Sequence, residues 1–246
     1  MGDDMEKIRT VGLLIADDKE YEKVEKVLIG KGAAPVSVIG RAGLALDCRT
    51  ADNTGSRLIA VYCGVGKTNA AAATAALIVM GAGVVVSGGL SGKITDADAD
   101  IIIGTDYYEH DFDLTVLGYK AGEKPFGEYR FIADKRLVSA AEKAFPEAIG
   151  GSVVTGDRFI CTDESRRFVT ECFSALACDM ESAAEAAVCN KAGIPFLSVR
   201  CISDNADESA TAAYRNENNG ESGGFFVRFT EFAVSLGEYD EIWSDK

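Results

Sequence analysis

One histidine, His110, stands in 246 residues, and its isolation removes several chemistries at once. Every Ser-His or Cys-His nucleophile scheme that does not use His110 itself is excluded. With no second His or Cys at ligand spacing, the segment His110-Asp111-Phe112-Asp113 makes no transition-metal centre, and no metal is expected. Basic residues are few: 25 Lys and Arg against 39 Asp and Glu give a formal charge of −14, and no basic cluster is longer than Arg166-Arg167. Nucleic acids and anionic membranes need a basic face, so neither is an expected partner. Proline occurs four times, with no Pro/Ser-rich linker, low-complexity tract or internal repeat. A single domain over 1–246 follows, with residues 1–8 as a flexible end. Seven cysteines form no CxxC pair; they read as reduced, buried thiols of a cytoplasmic protein. The opening MGDDMEKIRT has no apolar signal core, and Glu6 stands where a myristoylation motif needs Ser or Thr.

What is present is mostly apolar and alternating. Thr68 to Gly92 carries no charge, long enough on paper for a bilayer. Asn69 opens a helix that Gly81 and Gly83 end, however, and VVVSGG then reads as a buried strand with its turn. Elsewhere β-branched runs alternate with helical stretches. Strands are expected at Val11–Ile15, Leu58–Cys63, Val84–Val86, Ile101–Thr105, Val153–Thr155 and Phe196–Ile202. Helices are expected from about Glu20, then at Asn69–Met80, Ser139–Phe145, Asp163–Phe173, Met180–Ala192 and about Gly224–Leu236. Val36–Cys48 has strand character and can hairpin with Leu58–Cys63. Strands apolar on both faces, alternating with helices, predict a three-layer αβα sandwich around a central mixed, mostly parallel sheet.

Two motifs fail on inspection. Gly64-Val65-Gly66-Lys67-Thr68 lacks the first P-loop glycine, because Val61 stands there. Asp96, Asp98 and Asp100 begin like a calcium loop, but Ile101 replaces the turn glycine and Tyr107 the closing Glu.

The stretch Cys178 to Asp207, CDMESAAEAAVCNKAGIPFLSVRCISDNAD, says most about function. Asp179-Met180-Glu181 stands at the mouth of an Ala-rich helix, and a buried strand runs into Ser203-Asp204-Asn205-Ala206-Asp207. A strand that ends in carboxylates delivers them to the carboxyl edge of a sheet, where open α/β folds put their ligands. Taken alone, Asp204 can equally cap a helix, and Glu20 and Glu181 can be ordinary helix-opening acids.

The same residues resemble the nucleoside phosphorylase superfamily, and most closely its hydrolytic branch, the 5′-methylthioadenosine/S-adenosylhomocysteine nucleosidases. Five blocks in the family's order carry the resemblance: VGLLIADDKEYEKVEKVL (11–28), VYCGVGKTNAAAATAALI (61–78), HDFDLTVLGYKAGEKPFG (110–127), TGDRFI (155–160), and MESAA with IPFLSVRCISDNAD. The resemblance implies Glu20 and Asp204 as catalytic residues, the first for water and the second for the purine. It places Glu181 on the ribose hydroxyls, which suits a carboxylate that accepts two hydrogen bonds at once. Phe159 and Ile160 fall on the purine side, with Met180, Asp179, Val65, Ser91, Gly92, Ser203 and Ala206 completing the pocket. The glycine turn Gly64–Thr68 is either packing punctuation or a loop that closes over the nucleoside. Leu114, Leu117 and Pro125 would come from the neighbouring subunit of a homodimer. The substrate class is an adenine nucleoside, and no cofactor is implied.

Two alternatives remain beside hydrolysis. A phosphate-dependent phosphorylase carries a Gly-Asp-Pro turn and an arginine at the end of the first strand, and another arginine before the central glycine turn; here those places read Ile15-Ala16-Asp17-Asp18 and Val86-Ser87-Gly88. A non-catalytic nucleoside-binding protein would not need the three acids. The chain departs from its relatives at Leu90-Ser91-Gly92-Lys93 in the expected central turn, at Asp179 in place of a frequent glutamate, and in the long polar stretch 205–224.

Overall fold

The computed structural model describes residues 8–49, 55–216 and 222–244. The flexible end expected at 1–8 lies almost wholly outside them, as does part of the polar stretch, 217–221. The elements in chain order are β1 (Arg9–Ile15), α1 (Asp18–Gly30), β2 (Ala34–Val38), β3 (Arg41–Arg49), β4 (Gly55–Tyr62), α2 (Lys67–Val79), β5 (Val84–Lys93) and β6 (Ile101–Glu109). A short 3₁₀ turn (Thr115–Leu117) and β7 (Arg130–Ile132) follow, then α3 (Lys135–Ala144), β8 (Ile149–Thr155), α4 (Asp163–Phe173), β9 (Ala177–Asp179), α5 (Ser182–Ala192) and β10 (Phe196–Asp204). The chain closes with α6 (Ala210–Asn216), α7 (Gly223–Ser235), a 3₁₀ turn (Leu236–Glu238) and α8 (Asp240–Trp243).

Strand β5 is the axis of the mixed sheet. It pairs in parallel with β1 on one side and β10 on the other, and its first nine residues are buried. From β1 the sheet runs outward through β4, β3 and β2. On the other side β10 pairs with β6, β6 with β8, β8 with β9, and β9 returns to β5. Five strands therefore close on themselves, a closure the alternation of strand and helix did not announce. The long pairings at the centre, β1 with β4, β5 with β10 and β6 with β8, are parallel.

Successive residues of a strand face opposite sides of the sheet, and β5 shows what covers each. A Cβ on Gly88 would overlap the ring of Phe229 in α7, whereas one on Gly89 would overlap the guanidinium of Arg200. On the Gly89 side lie α2 and α5, packed against each other. Two bare positions thus admit a helix aromatic on one face and a buried cation on the other. They also account for a correction: the expected central turn at Gly88–Lys93 is strand, since it hydrogen-bonds to β10 as far as Gly92 and to β9 at Gly92 and Lys93.

Smaller differences have local causes. Val36–Cys48 splits at Ile39 and Gly40, both at positive φ, so β2 and β3 form their own hairpin and β3 pairs antiparallel with β4. Helix α5 starts at Ser182, because Asp179 accepts from the N–H groups of Glu181 and Ser182 and holds the chain before its first turn. The uncharged run Thr68–Gly92 becomes α2 and β5, and no helix among the described residues is long and apolar enough to cross a membrane.

Candidate active site

The carboxyl ends of β1, β5 and β10, the start of α1, the residues before α5 and the loop after β8 surround one cleft. Including its mouth it holds about 690 Å³, inside the roughly 300–1,000 Å³ of small-molecule sites.

Glu20 enters from the first turn of α1. Asp17 caps that helix, its Oδ1 accepting from the N–H groups of Lys19 and Glu20 at 2.9 and 3.4 Å. The Glu20 side chain is 4% exposed and accepts from the Leu90 N–H at 3.0 Å. Burial pushes its carboxyl up to about 8, against the pull of that hydrogen bond. Asp204 ends β10 beside Gly92. Its Oδ2 accepts from the Ser203 hydroxyl at 2.7 Å and its Oδ1 from the Ala206 N–H at 2.8 Å. Burial raises its pKa above the usual carboxylate range in spite of both bonds. Leu90 and Gly92 lie two positions apart on β5, about 7 Å along a strand, so the two acids reach the cleft at different depths.

Glu181 stands just ahead of α5 and lines the same cleft. Its Oε1 accepts from the Gly66 N–H at 2.9 Å, and burial, reinforced by the charge of Asp179, raises it to about 7. Gly66 has φ 99°, a backbone that L side chains resist. The turn 64–68 is therefore more than punctuation, since it aims a backbone donor at Glu181. Its neighbour Lys67 ties three segments together. The ammonium reaches Glu109 at 3.1 Å and Asp111 at 2.6 Å, and the Lys67 N–H donates to Asp157 at 2.8 Å. Asp157 in turn donates its N–H to Asp111 at 2.9 Å. This lattice holds the loop that presents Phe159, half-exposed and edge-on to Tyr214 with ring centroids 5.7 Å apart.

Of the residues singled out in the sequence, Glu20, Val65, Ser91, Gly92, Phe159, Ile160, Asp179, Met180, Glu181, Ser203 and Asp204 all line this cleft. Ser91 brings a buried hydroxyl that bonds to no protein group. Ala206 does not line it and acts through its N–H on Asp204. Asp179 touches the cleft, but its oxygens are taken by Thr155, by the Ser182 hydroxyl and by Arg200 at 2.9 Å. It orders the site rather than offering acceptors to a ligand. Leu114, Leu117 and Pro125 line no part of this chain's own cleft.

Sequence reasoning missed Asp17, Arg200 and Tyr214 as lining groups. Asp17 had a signal, an aspartate just before a helical run. Arg200 lies mid-strand, 1% exposed, its guanidinium bonded to Ser182, Ser87 and Asp179; burial opposes its charge, but the surrounding acids hold it protonated. Tyr214 comes from α6, inside the polar stretch, where no periodicity pointed inward.

Residues 10–230 match the phosphorylase superfamily. Over 197 residues, 76% of this chain and 79% of the relative, the sequence is 38% identical to the 5′-methylthioadenosine/S-adenosylhomocysteine nucleosidase of Shewanella halifaxensis. The fold is similar to that enzyme from Neisseria meningitidis in complex with methylthio-immucillin-A, with TM-score 0.83 and 29% identity over 93% of this chain and 100% of the other. It is also similar to the futalosine hydrolase of Helicobacter pylori, with TM-score 0.84 over 93% and 98%, where 24% identity speaks for the fold alone.

Proposed function

The chain belongs to the phosphorylase superfamily and, within it, to the 5′-methylthioadenosine/S-adenosylhomocysteine nucleosidases, and from that membership we propose how its cleft hydrolyses the N-glycosidic bond of these nucleosides. The observation that carries the reading is three buried carboxyl groups, Glu20, Glu181 and Asp204, brought to one cleft from three separate elements.

Breaking the bond leaves positive charge on the ribose and negative charge on the purine. Asp204, whose burial favours the protonated form, gives its proton to purine N7 and lets adenine leave neutral. Glu20 in its ionised form takes a proton from the attacking water, whose oxygen bonds to the anomeric carbon. Glu181 accepts from the two ribose hydroxyls and, with Glu20, stabilises the cationic transition state. Phe159 stacks on the purine, and the Ser91 hydroxyl supplies a donor with no competing protein partner. Adenine and the free thioribose result, and Asp204 and Glu20 return to their starting states by exchange with solvent.

Water rather than phosphate is the nucleophile. The end of the first strand presents Asp17 beside Glu20, and Arg200 is occupied by Asp179, Ser87 and Ser182. A phosphate dianion would meet carboxylates where it needs guanidinium groups.

A single domain over 1–246 working as a homodimer completes the proposal. The segment after β6 leaves Val116 89%, Leu117 68% and Phe126 92% exposed, more apolar surface than an isolated loop leaves in water. A second copy covering it would bring Leu114, Leu117 and Pro125 to the partner's 5′-alkylthio group. Seven free cysteines, four of them buried, favour a reducing, cytoplasmic setting. Release of adenine from 5′-methylthioadenosine without phosphate tests the reaction.

A further inference from the structure

One buried acid behind the cleft has no part in this chemistry. Glu185, on α5, is 1% exposed and does not line the cleft. Neither of its oxygens makes a hydrogen bond of ordinary geometry. The nearest cation is Arg200, 3.9 Å from Oε2. Arg200 does not need it for neutrality, because Asp179 already pairs with the guanidinium at 2.9 Å. On packing grounds alone a small apolar residue would serve, as Ala183 and Ala186 do on the same helix. A buried carboxylate with only the Ser87 hydroxyl and a guanidinium at 3.9 Å for partners is costly, so its presence asks for a role.

The geometry around Arg200 supplies one. A side chain on Gly89 would meet both Arg200 Nη1 and Glu20 Oε2, so the guanidinium and Glu20 converge on one bare position. Glu185 reaches the same guanidinium through Nη2. Glu20, Glu181 and Glu185 are thus buried around one cation that Asp179 already pairs with, and burial and mutual repulsion oppose the ionisation of all three together. The other groups facing Glu185 are weak competitors. Cys63 after β4 and Cys189 on α5 are buried thiols raised in pKa, and β5 offers the Ser87 hydroxyl. From β8, Thr155 is bonded to Asp179; from β6, Tyr107 donates its hydroxyl to Gly104. Helix α2 buries Ala70, Ala73, Thr74 and Leu77, and β7 buries Phe131.

We propose that Glu185 is a positioning residue for the hydrolysis: it competes with Glu20 for the charge of Arg200 and so sets how readily the water-activating carboxylate ionises. Burial raises Glu185 and Glu20 alike to about 8, and Arg200 draws both down. Each ionises at the other's expense. The inference rests on Glu20 as the base in the reaction proposed above.

The test is the pH dependence of kcat and KM for 5′-methylthioadenosine in the wild type and in Glu185→Gln, which keeps the shape and removes the titration. The acidic limb of kcat is expected to move to lower pH by about half a unit or more, roughly a threefold gain on the rising limb. KM should change less than kcat, since Glu185 does not reach the cleft and acts on Glu181 only through charge. Glu185→Asp, which restores an acid, should bring the limb back toward the wild type. An unmoved limb in folded Glu185→Gln overturns the proposal, and so does an equal loss of kcat at every pH, the mark of a purely structural role. A measurement on the wild type needs neither variant nor turnover: ¹³C NMR of labelled glutamate side chains. Two carboxyl groups titrating in overlapping, mutually shifted steps are expected, and independent single-proton curves overturn the idea. Because that readout needs no reaction, a wild type that releases no adenine refutes the functional reading separately.

Discussion

At Asp204, two hydrogen bonds pull toward the carboxylate while burial pulls toward the acid, and burial wins. A proton donor for a purine needs that balance. Asp204→Asn is expected to lower kcat by about 10²–10⁴-fold with the fold intact, the usual size of a general acid's contribution. Glu20→Gln should cost a similar factor, and near-normal turnover in that variant removes it from the mechanism. Glu181→Gln should raise KM as well as lower kcat, because its grip on the ribose acts in the ground state and the transition state. The pH profile follows from the same residues. Glu20 must be ionised, and its value of about 8 makes activity climb as pH rises through neutrality. Asp204 must be protonated, and burial extends that form to higher pH than for an ordinary aspartate, so its contribution is lost as pH rises. Steady-state kinetics from pH 5 to about 10 is expected to show a bell.

At the scale of elements, β5 decides most. Its bare Gly88 lets Phe229 of α7 lie against the sheet, and Gly88→Ala is expected to destabilise by about 1–3 kcal/mol through overpacking, read as a lower midpoint in urea with the slope retained. The segment between β6 and β7 carries the second prediction at this scale. Leu117→Asp should weaken dimerisation and raise KM for 5′-methylthioadenosine together, and sedimentation showing a fully active monomer at micromolar concentration contradicts the shared site. How far such elements could be read from sequence depends on the range of their causes. Helix α4 spans Asp163–Phe173, as its local pattern predicts, and β1, α2 and β10 fall within a few residues of expectation. The strand character of Gly88–Lys93 was hidden, because its glycines look like a turn until Phe229 and Arg200, both more than 100 positions away, are seen against them. The short β9 and β7 were unreadable for a like reason: three-residue strands exist only through their partners. The site was more legible than the fold's closure. Acids at a strand end and a helix start announce themselves, whereas Tyr214 and Arg200 become visible only when α6 and β5 are in place.

Across the whole molecule, two populations of carboxyl group set the stability against pH in opposite senses. Glu20, Glu181 and Glu185 are raised by burial. The folded chain therefore binds more protons than the unfolded one between their ordinary value of 4.5 and about 8, and stability falls as pH rises through that window. Glu109, Asp111 and Asp134 are lowered, burial being outweighed by Lys124 and Lys67, by Lys67 and the Asp157 N–H, and by Arg136 respectively. Their contribution is present above the ordinary carboxylate range and is lost on acidification. Thermal unfolding is thus expected to show a maximum near the ordinary carboxylate value of 4.5, with Tm declining on both sides, and Glu185→Gln should flatten the decline above it. A Tm that climbs steadily from pH 6 to 9 would contradict the buried acids as described. The most direct test of the central claim is product analysis of the purified protein with 5′-methylthioadenosine, with and without inorganic phosphate. Three acids on one cleft and an acidic first turn predict adenine and free methylthioribose at the same rate in both. Turnover that requires phosphate and yields a sugar 1-phosphate would contradict it.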